Sequence, residues 1–124
     1  VLQWMREGLA PMGFDLSTLH RIELALEEAI VNIIEHAYQG RPEEIEIELK
    51  LFPKDRAEII LKDHGPPFNP LQAKEADSFS ALEEREVGGL GIHFIRKLID
   101  EISYKREQDL NILMLSIRLS SQIK

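Results

Sequence analysis

One change of rhythm does most to limit what this chain can become. From Leu19 the apolar residues Leu19, Ile22, Leu26, Ala29, Ile30, Ile33 and Ala37 recur at intervals of three and four. That spacing gathers them into one stripe along an α-helix. From Glu44 the period drops to two: Glu44-Ile-Glu-Ile-Glu-Leu-Lys-Leu-Phe52 alternates polar and apolar residues as far as Leu51. This is the pattern of a strand with one wet face. A helix with one apolar stripe and a sheet with one apolar face bury that surface by covering each other, so helices are expected to lie on a sheet.

The flanking segments extend the same scheme. Val1 to Ala10 reads as a helix with Leu2, Met5 and Leu9 on one side, and Trp4 is expected in the core or at an interface. Pro11-Met-Gly-Phe-Asp15 breaks this helix, and Asp15 or Ser17 can cap the next one. The long helix is expected to end near Gln39-Gly40, where Gly suits the C′ position, and Pro42 stops its continuation. Pro53-Lys-Asp-Arg56 reads as a turn and Ala57 to Lys62 as a second strand, forming a hairpin. Residues 64–88 lack clear periodicity, and a loop this long inside a compact domain is usually functional or disordered. Leu90 to Glu101 predicts a third helix whose apolar residues are Ile92, Ile95, Leu98 and Ile99, continuing to Ile102. Ser103 to Arg106 and Asn111 to Leu119 predict two closing strands joined by Glu107-Gln-Asp109. Short turns between neighbouring strands favour a mostly antiparallel, mixed sheet covered by helices on one face. The expected architecture is a two-layer α/β sandwich, one domain over residues 1–124.

With 124 residues the chain has enough length for a real core. Its formal net charge of −7 argues against general binding to nucleic acid or anionic membranes, although a local basic patch can still hold a phosphate. It has no cysteine, hence no disulfide framework and no thiolate zinc site. No apolar run approaches about 18 residues, and the start lacks a signal-peptide pattern. A cytoplasmic location is expected. The first residue is Val, not Met, so residues are expected to precede Val1, either an amino-terminal strand or a whole upstream domain.

Three segments carry chemistry. In Glu28-Ala-Ile-Val-Asn-Ile-Ile-Glu-His-Ala-Tyr38 a carboxylate and a carboxamide stand one helical turn apart. Asn32 is a poor helix-interior residue, roughly half a kcal/mol worse than Ala. A carboxamide oxygen suits Mg²⁺, which keeps waters and binds substrate phosphates. Glu28 can accept a proton from an attacking hydroxyl or water. Glu27 is the alternative carboxylate, but it stands about 140° around the helix from Asn32, against about 40° for Glu28. The bland alternative is a polar, partly wet helix face. Asp63-His-Gly-Pro-Pro-Phe68 puts an acidic side chain at a strand end. Asp63 can accept a hydrogen bond from an exocyclic amine such as that of adenine, and Gly65 lets the backbone approach a flat ring. The same residues also suit a plain strand-ending Asp-x-Gly turn. Gly88-Gly-Leu-Gly91 leads into a helix. Exposed N–H groups and the helix N-terminus then form an anion site suited to phosphates. Alone, it is equally a loop-to-helix hinge. It is neither a Walker loop nor a dinucleotide fingerprint.

Taken together, in this order and spacing, the segments resemble the N, G1 and G2 boxes of the GHKL ATP-binding fold. That group includes histidine-kinase catalytic domains, gyrase, Hsp90 and MutL. The His-Ala-Tyr ending and the Gly-Pro-Pro-Phe form are similar to the anti-sigma-factor serine kinases of bacteria. The resemblance covers nearly the whole chain and implies a Bergerat-type fold. It implies Asn32 as the Mg²⁺ ligand and Glu28 as the catalytic base. Asp63 would read the adenine amino group, with Gly65 and Pro67 shaping that wall. Gly89, Leu90 and Gly91 would present the phosphate-binding turn, and residues 69–88 would form an ATP lid. His36, one turn beyond Asn32, would line the site or serve the helix end. Ser116, in the last strand, would supply a hydroxyl near the adenine. His20, His64 and His93 show no paired metal spacing, and Arg85 reads as a solvated lid charge or a phosphate contact.

The activity implied is a protein serine/threonine kinase that uses ATP and Mg²⁺. It would phosphorylate an anti-sigma-factor antagonist while sequestering a sigma factor, and members of this branch often form a homodimer. Two other readings share the same residues: an ATP-binding regulatory module without transfer, and the catalytic part of a histidine kinase whose acceptor helices precede Val1.

Overall fold

The computed structural model describes residues 2–37, 44–67 and 91–121. Helix α1 spans Leu2–Leu9 and runs into a 3₁₀ turn, Ala10–Met12, closed by Gly13 at φ 77°, a left-handed conformation that glycine adopts without penalty. Helix α2 spans Leu16–Ala37. Of the two candidate caps the structure uses Asp15, whose Oδ1 accepts the Thr18 backbone N–H at 2.7 Å. Hydrogen bonds from the Thr18 side chain and backbone hold the Asp15 carboxyl below its ordinary value.

Strands β1 (Glu46–Phe52) and β2 (Arg56–Asp63) form the first hairpin. Helix α3 (Gly91–Leu98) follows, then the hairpin of β3 (Glu101–Glu107) and β4 (Leu110–Arg118). The order in the sheet is β1-β2-β4-β3, and every described pairing is antiparallel. The last strand therefore inserts beside β2, which becomes central and is inward-facing at Ala57, Ile59, Leu61 and Asp63.

The stripe and the inner sheet face meet as expected. Ile22, Ala25, Leu26, Ala29 and Ile33 of α2 share one buried cluster with Ala57, Ile59, Leu61, Leu113, Leu115 and Ile117. Met5 and Leu9 of α1 and Ile95 of α3 complete it. Close approach of α1 to β1 needs a small residue, because a Cβ on Gly8 would come within 2.5 Å of Leu49 Cδ1.

Two expectations need correction. Helix α3 ends at Leu98 rather than reaching Glu101. The Ile99 N–H still bonds to the Ile95 carbonyl, but the Asp100 N–H bonds to the Ser116 carbonyl, so the chain has already joined the sheet. Ile102 consequently packs on the core from β3 and not from a helix. Of the two places expected for Trp4, the core is excluded, since it is 48% exposed. The expected end of the long helix at Gln39-Gly40 and Pro42, and the loop residues 68–88, lie outside the described residues.

Candidate functional site

The inward phase of β2 carries apolar side chains until its last residue, where Asp63 takes the core-facing position and is only 3% exposed. A carboxylate buried there is costly unless hydrogen-bonded. Its Oδ1 accepts the Gly65 N–H at 2.9 Å and the Asn111 Nδ2 at 2.9 Å. The first bond is the Asp-x-Gly turn foreseen as the bland alternative. The second reaches across to β4, where Asn111 is 4% exposed and paired in register with Asp63. Asn111 Nδ2 also faces the carbonyls of Pro66 at 3.0 Å and Gly65 at 3.4 Å. Asn111 Oδ1 accepts the Tyr104 hydroxyl at 2.5 Å. Arg106 of β3, in register with Asn111, donates from Nη1 to the Gly65 carbonyl at 2.7 Å. Asp63, Asn111 and Arg106 thus form a row across three strands that holds the whole turn. Gly65 is buried within it, and Pro67 is exposed at its rim.

A second group lies along one flank of α2, beside the apolar stripe. Asn32 is 5% exposed. Glu28 has a buried Oε2 with no hydrogen-bond partner among the described residues, whereas Glu27 is exposed. Further back on this flank, Arg21 Nη2 donates to the Leu98 carbonyl at 2.8 Å, capping the end of α3. Helices α2 and α3 pack on each other.

These groups can be tested against the magnesium nucleotide that the sequence implies. No cluster of three or more His, Asp or Glu able to hold a metal exists among the described residues. Mg²⁺ ordinarily keeps several waters and takes phosphate oxygens, so a single buried carboxamide such as that of Asn32 suits it. The buried, unpartnered Glu28 Oε2 is an acceptor with no internal donor in the described structure. The residues present fit the group.

Ser116 does not come to Asp63. It pairs with Glu58 and Glu101, whereas the residue opposite Asp63 is Asn111. Five residues along a strand separate the two by about 17 Å, and the odd offset puts Ser116 on the opposite face of the sheet. His36 belongs to α2, with its side chain outside the described residues. Gly91 opens α3, while Gly89, Leu90 and Arg85 lie outside the described residues. On the outer sheet face, the Lys62 ammonium 2.9 Å from Glu48 holds that carboxyl below its ordinary value and is itself raised by it.

Asn111, Tyr104, Arg106 and Arg21 were not singled out from the sequence. One signal was available. Asn111 shares the phase of Leu113, Leu115 and Ile117, so a carboxamide stands where the strand's core face calls for an apolar residue.

Residues 1–117 match the family described as Histidine kinase-like ATPase domain. The chain is similar to the Serine-protein kinase RsbW of Bacillus mycoides (strain KBAB4) and to that of Bacillus cereus (strain Q1). Each is 34% identical over 107 residues, 83% of this chain and 66% of the relative. The chain thus spans just under two thirds of the length of these relatives. Among solved structures, the histidine kinase domain from Erythrobacter litoralis EL346 blue-light activated histidine kinase superposes with a TM-score of 0.57. It is 20% identical and covers 85% of this chain and 46% of that one, a likeness of fold.

Proposed function

The chain belongs to the histidine kinase-like ATPase domain family, and from that premise we propose that it is an ATP-dependent protein serine/threonine kinase. The relatives' printed name, Serine-protein kinase, supports this reading. The protein substrate proposed is an anti-sigma-factor antagonist, with a sigma factor as the sequestered partner.

In this reading Asp63, held by Gly65 and Asn111, accepts the exocyclic amine of adenine. Asn32 offers its carboxamide oxygen to Mg²⁺. When bound, Mg²⁺ draws the phosphate oxygens together and offsets their charge. Gly89, Leu90 and Gly91 present the phosphate-binding turn at the head of α3, where the helix N-terminus favours anions. Glu28 accepts the proton of the attacking serine or threonine hydroxyl. Positioning and electrostatics do most of the work in phosphoryl transfer, with little covalent chemistry left to the protein.

The observation that carries the kinase reading over a purely binding module is Glu28 Oε2. It is buried and without a hydrogen-bond partner among the described residues, one turn from buried Asn32. A module that only binds nucleotide has no use for an unpartnered carboxylate there. The test is calorimetric titration with ATP, with and without Mg²⁺, together with transfer of labelled phosphate to the protein partner. Wild type is expected to bind and transfer, Asp63→Ala to lose binding, and Asn32→Ala to lose its Mg²⁺ dependence. Unchanged affinity in both variants would defeat the site. Binding without transfer by wild type would leave the non-kinase module.

A further inference from the structure

The carboxamide of Asn111 is held at both ends. Its Nδ2 faces Asp63 Oδ1 at 2.9 Å and the Pro66 carbonyl at 3.0 Å, both acceptors. Its Oδ1 faces the Tyr104 hydroxyl at 2.5 Å, a donor. Reversing the amide would set an oxygen against a carboxylate and strand the hydroxyl, so only one orientation satisfies the neighbours. That orientation presents a neutral donor to the Asp63 atom that also accepts from Gly65. Arg106 fastens the same turn through the Gly65 carbonyl without lying opposite Asp63 in register.

We propose that Asn111, oriented by Tyr104, is a positioning residue that aims the Asp63 carboxylate and thereby sets preference for a 6-amino over a 6-oxo purine. This rests on the reading of Asp63 as the purine contact. A 6-amino purine offers a donor to an aimed carboxylate, whereas a 6-oxo purine offers an acceptor and is repelled. A carboxylate free to turn loses both the attraction and the repulsion, so discrimination falls further than overall affinity.

The experiment compares Mg-ATP with Mg-ITP binding in wild type, Asp63→Ala, Asn111→Leu, Asn111→Asp and Tyr104→Phe. Thermal unfolding without nucleotide confirms that each variant is folded. Asn111→Leu is expected to reduce the ATP-to-ITP affinity ratio by roughly ten-fold, the usual order for a lost hydrogen bond to a charged group. Tyr104→Phe, which keeps the ring, is expected to reduce it by about three-fold. Asn111→Asp supplies a readout that a merely structural role would not move. Two carboxylates this close share a proton, and the protonated one can donate to its neighbour. Its ratio should approach wild type at pH 5.5 and fall as pH rises toward 8.5, while the wild-type ratio stays level. Among the described residues the charged or titratable groups against the pair and its turn are Tyr104, Arg106 and, beyond Arg106, Asp109, with His64 next to Asp63 in the chain, and all are present in both proteins. If wild type fails to bind ATP, or Asp63→Ala still does, the site reading is wrong. If Asp63→Ala loses ATP while the Asn111 and Tyr104 variants keep the wild-type ratio at every pH, the positioning role is wrong and the site stands.

Discussion

Two inward carboxylates, Asp63 and Glu28, are held in opposite ways. Asp63 Oδ1 receives two neutral donors, so its orientation is set by the fold. Glu28 Oε2 receives none among the described residues. A buried acceptor without a partner costs about 1–3 kcal/mol, so a fold that keeps one needs another reason for it. Glu28→Gln removes the charge while preserving shape. It is expected to bind Mg-ATP with affinity close to wild type while transfer slows about 10²-fold or more, the range ascribed to a positioned base. A transfer assay under saturating nucleotide reads this directly, and wild-type turnover would move the base elsewhere. Asp63→Ala should behave differently. Besides losing ATP, it deprives the Gly65 N–H of its acceptor and should lower stability by about 1–3 kcal/mol in denaturant unfolding.

At the scale of elements, two local motifs decide where segments begin and reverse. Asp15 caps α2, and the Thr18 hydrogen bonds hold its carboxyl below its ordinary value. A carboxylate whose folded pKa is depressed stabilises the fold above its unfolded value. That contribution is lost as pH falls through the folded pKa. The cap's contribution is thus complete at neutral pH and disappears in acid below about pH 4. Asp15→Asn keeps a side-chain oxygen for the cap without the titration. The gap in Tm between the two proteins should therefore move in favour of Asn as pH drops from 6 to 2.5, and parallel pH curves would contradict it. The β3–β4 hairpin turns on Gln108 at φ 48° and Asp109 at φ 67°, two consecutive left-handed residues flanked by the pair Glu107 and Leu110. A two-residue hairpin turn of this kind prefers Asn-Gly. Replacing Gln108 by Asn and Asp109 by Gly should raise stability by roughly 1 kcal/mol. The Arg106–Asp109 contact that is lost spans 3.9 Å, and its Asp side chain is 96% exposed, so it offsets little of this.

For the whole molecule, one buried cluster ties α1, α2 and α3 to the sheet. Leu26 has no exposed surface and sits in the middle of the α2 stripe. Leu26→Ala should cost about 2–5 kcal/mol in denaturant unfolding with little change in the slope m. A loss well under 1 kcal/mol would mean that the layers are not held together there. Among the described residues no helix is long and apolar enough to cross a membrane.

Legibility followed the range of the interactions. The stripe of α2, the alternation of β1, the Asp15 cap and the Asp63 turn are local, so periodicity and turn chemistry showed them in advance. The end of α3 was misread because its apolar run passes unbroken into β3, and only bonding of Asp100 to Ser116 stops the helix. Ser116 was misplaced and Asn111 overlooked for one shared reason. Which residue of β4 stands opposite Asp63 depends on strand register, and nothing local to β4 encodes it. The sequence by itself determined which helices and strands form, and it put Glu28 and Asn32 on one helix flank and Asp63 at a strand end, because these depend on neighbours within a few residues. Only the tertiary structure decided that β4 lies beside β2, and with it the Tyr104–Asn111–Asp63 row, because pairing between distant strands is settled by packing of the assembled core.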